Sequence, residues 1–233
     1  MRLRRCGIEN ALHLRQAPSL RVRQHLTITG ARLQRELRGI SCIPLGSTSA
    51  KKTITCSRSL GRLVWNISEL QEAITCFVDS AAEKLRRQQS AVGLLQVFLR
   101  TDKHRTDLRQ QLVSAAASFP VASAYTPELV TVAHRVLESI YTPGYGYAKV
   151  GILFCDLVPE SERQLTLFDS DANDPAERER QHRLMNTTDS LNRRFGRGTV
   201  FLASAGTERR WQGKQEHRSP RYTTQWRELL EVI

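Results

Sequence analysis

The sequence predicts an α+β fold: a β-α-β-β-α-β domain whose four-stranded sheet carries two helices on one face, with a small helical module before it and a linker and small C-terminal tail after it. Three observations predict it. Two amphipathic helical stretches flank a pair of β-rich stretches, the first strand alternates between apolar and polar positions, and breaker-rich segments near residues 46–52 and 159–181 divide the chain.

Residues 2–40 read as short helices. Cys6-Gly7-Ile8 marks a turn, Glu9 to Gln16 is a helical run, Pro18 breaks it, and Gly30 to Leu37 resumes before Gly39 ends it. A glycine turn between helices can aim backbone N–H groups at a phosphate, which makes Gly7 a candidate contact; a plain helix stop is the alternative reading. Gly46 to Lys52 is small and polar, a linker. Thr53 to Ser59 places Ile54 and Cys56 on one face and Thr53, Thr55, Ser57 and Ser59 on the other, a strand with one wet face. Ser68 with Gln71 three residues on forms a capping-box pattern that opens a helix, with Leu70, Ile74, Phe77, Ala81 and Leu85 inward.

Leu94 to Arg100 and Leu112 to Ser118 are the next strands, joined by a long polar connection. Thr126-Pro127 then opens a helix with Leu129, Ala133, Val136, Leu137 and Ile140 inward, and Pro143-Gly144 closes it. Tyr147 to Cys155 is the last strand of the domain. The spacing predicts a helix over His182–Phe195, a short strand over Thr199–Ala203 and a mixed stretch from Trp211. The boundaries are therefore 1–46, 51–158, 159–181 and 182–233. So short a tail can bury only a tiny core, and it is expected to be flexible or to dock on another domain or protein.

The 233 residues are 40% hydrophobic and carry a formal charge of +12. The charge is spread as +7 over 1–50, +4 over 51–158, −4 over 159–181 and +5 over 182–233. Only the linker is acidic, and positive charge on the remaining blocks suits a phosphate backbone. Lys51, Lys52, Arg58, Ser59, Arg62, Lys103, Arg105 and Lys149 lie in or beside the strands and are the candidate DNA contacts. Tyr145 and Tyr147 are assigned to packing, while Trp211, Tyr222 and Trp226 read as interface anchors in the tail.

No stretch approaches the roughly 20 apolar residues of a membrane span, and no signal peptide opens the chain, so the cytoplasm is the expected compartment. Cys6, Cys42, Cys56, Cys76 and Cys155 are odd in number and lack a C-x-x-C pair, which argues for reduced thiols rather than disulfides or zinc. Asp169, Asp171, Asn173 and Asp174 begin like a calcium loop, but the sixth position is Asp174 and the twelfth Arg180, so no metal is assigned. No serine, cysteine or histidine forms a recognisable catalytic set.

Gln164-Leu165-Thr166-Leu167-Phe168 places an apolar anchor inside the polar linker, where no core is available to it. Two leucines and a phenylalanine can fill pockets on another protein while Gln164 supplies directional hydrogen bonds. The peptide resembles the Q-L-x-L-F sequence by which bacterial polymerases dock on the β sliding clamp.

Other blocks extend the resemblance along the chain. Cys6-Gly7-Ile8, Arg35-Glu36-Leu37-Arg38-Gly39, Cys56-Ser57-Arg58-Ser59-Leu60-Gly61, Ala81 to Arg86 and Gly144 to Lys149 occur in family order, followed by Met185 to Asn192, Gly196 to Thr199 and Ser219 to Arg227. Together they resemble the C-terminal part of the UmuC branch of Y-family DNA polymerases, the error-prone polymerase V type with its MucB and ImpB relatives. The resemblance implies a thumb remnant over 1–46, a little-finger DNA-binding domain over 51–158, a clamp-binding peptide and a UmuC-type tail. It implies translesion synthesis, DNA repair and SOS mutagenesis, with primer-template DNA, the β sliding clamp, a UmuD′ dimer and the RecA filament as partners.

The family binds magnesium through palm carboxylates, and neither D-x-N-S-F-Y nor S-[IV]-D-E occurs in these residues. They are thus not expected to synthesise DNA alone or to hold a cofactor. A regulatory adaptor that competes for clamp or primer-template is the alternative.

Overall fold

The computed structural model describes Leu3 and residues 7–42, 50–164, 174–213 and 218–229, which fall into two units, 1–49 and 50–233. In the first unit, α1 (Ala11–Gln16) is capped by Asn10, whose side chain accepts from the His13 N–H at 2.9 Å. Helix α2 (Ser19–Leu37) starts directly after Pro18 rather than at Gly30, and its break is confined to Thr27, at φ 61°. The two helices are tied by the orphan carbonyls at the end of α1. Buried Gln34 donates to the Leu14 and Ala17 carbonyls at 2.9 and 2.6 Å, and Arg38 donates to those of Arg15 and Ala17.

The second unit is built on an antiparallel sheet of β1 (Ile54–Val64), β2 (Ser90–Thr101), β3 (Leu112–Ser123) and β4 (Tyr147–Pro159), in the order β1-β4-β2-β3. Helices α3 (Ile67–Arg87) and α4 (Thr126–Ile140) cover one face. Alternate strand residues point at them: Leu95, Val97 and Leu99 of β2 and Val150, Ile152 and Phe154 of β4 are fully buried against Leu70, Ile74, Leu85, Leu129 and Leu137. Each such side chain contributes on the order of 1.5–3 kcal/mol of transfer free energy.

The caps differ from expectation. Asn66, not Ser68, caps α3 by accepting from the Ser68 N–H at 3.0 Å. Thr126 lies inside α4, and its hydroxyl accepts from Arg86 at 2.8 Å instead of capping. The arms of the β2–β3 hairpin also outrun their expected ends, because both strands continue past Ser118 and before Leu94 as paired ladder.

Helix α5 (Pro175–Phe195) starts inside the expected acidic linker, capped by Asp174, which accepts from the Ala176 N–H at 2.9 Å. The tail docks within its own unit. Arg86 of α3 grips Asp189 of α5 with two charge-assisted hydrogen bonds of 2.7 and 2.8 Å, their side chains only 7% and 12% exposed. No strand forms over Thr199–Ala203: the Asn192 side chain takes both backbone groups of Val200 at 2.9 Å, and a 3-10 turn follows at Ala203–Ala205. Among the described residues, no helix is long and apolar enough to cross a membrane.

Candidate nucleic-acid interface

The sheet face away from α3 and α4 is assembled by register. One row across it reads Ser59, Lys149, Arg100, Leu112; the next reads Ser57, Gly151, Phe98, Ser114; the third reads Thr55, Leu153, Gln96, Ala116. No carboxylate occurs in these rows. Small residues predominate on the outer strands, which lets a broad object approach the backbone. Gly151 is required at its position, because a Cβ there would lie 2.3 Å from the Ser57 Cβ and 2.5 Å from the Phe98 ring.

Lys149 and Arg100 are direct cross-strand partners. Like charges in that relation repel, and neither side chain has a carboxylate beside it in register. Arg100 Nε is moreover buried with no hydrogen-bond partner. An anion held between the two cations would relieve both conditions, and a phosphodiester carries the single negative charge that this asks for.

The sequence-predicted contacts divide into groups. Ser59 and Lys149 share the open face. Arg58 does not: its partner in register is buried Val150, so it points to the helix side, where it lines a cavity with Asp79, Lys84 and Arg197. Arg62 is paired to Glu69 at 2.5 Å, and Arg105 is held by both oxygens of Asp107 at 2.9 and 2.7 Å within its own connection. Lys103 is exposed in that connection, and Lys51 and Lys52 are exposed just before β1, with the Lys51 backbone held by both ends of the Gln88 amide at 2.9 Å. Gly7 sits in an exposed turn of the first unit at φ 74°.

Arg100 is absent from the predicted contacts, although the alternation of buried Leu95, Val97 and Leu99 places Gln96, Phe98 and Arg100 outward. In the tail, Trp211 is buried and meets Phe77 edge-on, so this anchor is used inside the chain, whereas Tyr222 and Trp226 are exposed. Of the pentapeptide, only Gln164 lies among the described residues, exposed after the 3-10 turn Glu160–Glu162. The calcium-like run falls mostly outside them. Burial pushes the Cys56 and Cys76 thiols above their ordinary pKa, which leaves them poor nucleophiles. Tyr147 is fully buried, its hydroxyl donating to Gln111 Oε1 at 2.9 Å.

Comparison with known proteins matches residues 51–167 to the impB/mucB/samB family C-terminal domain and residues 182–232 to a domain of unknown function, DUF4113. The chain is 33% identical to Protein UmuC of Salmonella typhimurium over 232 residues, covering 99% of this chain and 54% of that relative. It is 33% identical to Protein ImpB of Salmonella typhimurium over 229 residues, covering 98% and 53%. It is 34% identical to Protein MucB of Escherichia coli over 224 residues, covering 96% and 52%. The chain thus spans about half the length of the curated relatives it matches.

Proposed function

Because this chain belongs to the impB/mucB/samB family, through that family's C-terminal domain, we propose that it is the DNA-binding and clamp-binding C-terminal region of a UmuC-like translesion polymerase, acting in DNA repair and SOS mutagenesis. The observation that carries the reading is Arg100 and Lys149 side by side on the open face, in three rows that hold no carboxylate. Two fixed cations at one end, with hydroxyls of Ser57 and Ser59 beside them, suit successive phosphates of a duplex. Contacts of that kind are insensitive to sequence, as a template carrying damaged bases requires.

The test is anisotropy of a labelled primer-template over a salt series. Lys149→Ala and Arg100→Ala are each expected to weaken binding and to lower the slope of log affinity against log salt by about 1. A wild-type chain that ignores primed duplex at low ionic strength, or a slope unchanged in both variants, would overturn the reading.

Clamp binding is assigned to Gln164–Phe168 on the chemistry of its side chains and on its family resemblance. Leu167→Ala combined with Phe168→Ala is expected to abolish capture on immobilised β clamp while duplex affinity stays within about twofold, since apolar anchors dominate such peptide contacts. Undiminished capture would sink the assignment. Exposed Tyr222 and Trp226 are the tail residues offered to a UmuD′ dimer or a RecA filament.

A further inference from the structure

β1 is held in two different ways along its length. Its ladder to β4 runs from Ile54 opposite Phe154 to Ser59 opposite Lys149 and resumes only at Val64 opposite Tyr147. Within the gap, the Gly61 N–H donates to the Trp211 carbonyl of the tail at 2.9 Å. The tail lies so close that the place of a Gly61 Cβ is taken: Gln212 O is 2.1 Å from it and Gly213 Cα 3.0 Å. Trp211 is itself anchored, 4% exposed and edge-on to Phe77 with ring centroids 5.6 Å apart. Earlier in the tail, Ser204 meets Thr75 at 3.5 Å, the Ala205 carbonyl accepts from Cys76 at 3.8 Å, and Asp189 is gripped by Arg86.

The tail is thus fastened along α3 before it reaches a stretch of strand that the sheet leaves unpaired. We propose that residues 211–213 brace the second half of β1, and that Trp211 is a positioning residue for the open face without touching it. Ser59 and Arg62 flank the braced glycine, so loss of the brace loosens the end of β1 nearest the Lys149–Arg100 pair. The mechanical half of the proposal stands on geometry alone; its consequence for nucleic acid rests on the DNA-binding reading above. On this reading the DUF4113 region serves to complete the domain that precedes it.

Two measurements on the full chain test it, residue-resolved amide hydrogen exchange and primer-template anisotropy. In the wild type the Gly61 amide is expected to be protected despite the missing β4 partner. Gly61→Ala, whose only new atom collides with Gln212 O, should raise exchange over residues 60–63 by about tenfold or more with β2 and β4 unchanged. Trp211→Ala should do the same, and Trp211→Phe, which keeps an aromatic edge against Phe77, should restore protection. Duplex affinity should fall about threefold to tenfold in Gly61→Ala and Trp211→Ala with the salt slope unaltered, because no phosphate contact is removed.

A freely exchanging Gly61 amide in the wild type, or unchanged exchange in Gly61→Ala, overturns the brace. Raised exchange with undiminished duplex affinity overturns the positioning role. A wild type that binds no duplex yet shows the exchange effects overturns the DNA-binding reading and leaves the brace standing. If Trp211→Ala unfolds throughout, Gly61→Ala on its exposed strand edge decides the matter.

Discussion

The two faces of one sheet, made of alternate residues of the same four strands, have opposite chemistry. Toward the helices lie Leu95, Val97, Leu99, Val150, Ile152 and Phe154, all fully buried, with α3 itself overlaid by the tail. Away from them lie three serines, Thr55, Gln96, Ala116, Gly151, three scattered apolar side chains (Phe98, Leu112 and Leu153) and two adjacent cations. These buried residues of the covered face are explained by packing. The open face is not: packing alone does not select Lys149 opposite Arg100, and that unexplained pairing is where a partner belongs.

The largest effect expected on this comparison comes from opening the covered side at its polar fastening. Asp189→Ala leaves the Arg86 guanidinium buried with only its Ala124 and Thr126 partners. Removing one member of a buried ion pair costs about 3–5 kcal/mol, because the other charge stays desolvated. Urea unfolding of Asp189→Ala should show a loss of that size, and Arg86→Met with Asp189→Leu should lose less than Asp189→Ala alone. A loss under about 1 kcal/mol in the single variant would mean that the tail contributes little to the domain.

The second prediction contrasts neighbours on one strand. Leu95→Ala removes a fully buried side chain from the helix-covered face and should cost about 2–5 kcal/mol, whereas Gln96→Ala, one residue on and on the opposite face, should stay within about 0.5 kcal/mol. Equal losses in chemical denaturation would deny that the two faces differ in kind.

How far this contrast is legible in the sequence depends on whether its cause is local. The alternation of Ile54 and Cys56 with Thr55 and Ser57, and the helical spacing of Leu70, Ile74, Phe77, Ala81 and Leu85, reflect a period imposed by each element on itself, and both survive in the fold. Whatever depends on distant partners is hidden. β1 runs on to Val64 because it pairs again with β4 there, opposite Tyr147; between the two pairings the tail, not β4, meets Gly61, and nothing near Leu60 announces Trp211. Thr199–Ala203 has strand-forming residues, but Asn192 claims the backbone of Val200. The Arg86–Asp189 pair joins two helices through side chains that each look like ordinary surface charge.

The site follows the same rule. Arg58 and Ser59 adjoin in sequence and read as one group, yet a two-residue period sends them to opposite faces; Arg100 escapes a sequence reading because its pairing with Lys149 exists only once β2 and β4 are in register.

The smallest predicted effect concerns pH on the covered side. His134 of α4 reaches across to α3, with Nε2 3.0 Å from the Thr75 hydroxyl and 3.2 Å from the Gln71 carbonyl. Burial holds its pKa below the ordinary imidazole value; the Gln71 carbonyl and Glu138 act the other way and more weakly. The unfolded chain therefore takes up a proton at higher pH than the folded one does. Stability is fully present above the unfolded pKa and falls as pH drops through it. The urea midpoint should decline from about pH 7.5 to 5.5, and less steeply in His134→Gln.

Asp79 carries the opposite sign. Burial raises its pKa against the pull of Arg86, so its protonation favours the folded state on acidification. Making the comparison in an Asp79→Asn background removes that opposing contribution, and identical slopes with and without His134 in that background would show that the α3–α4 contact is indifferent to its charge.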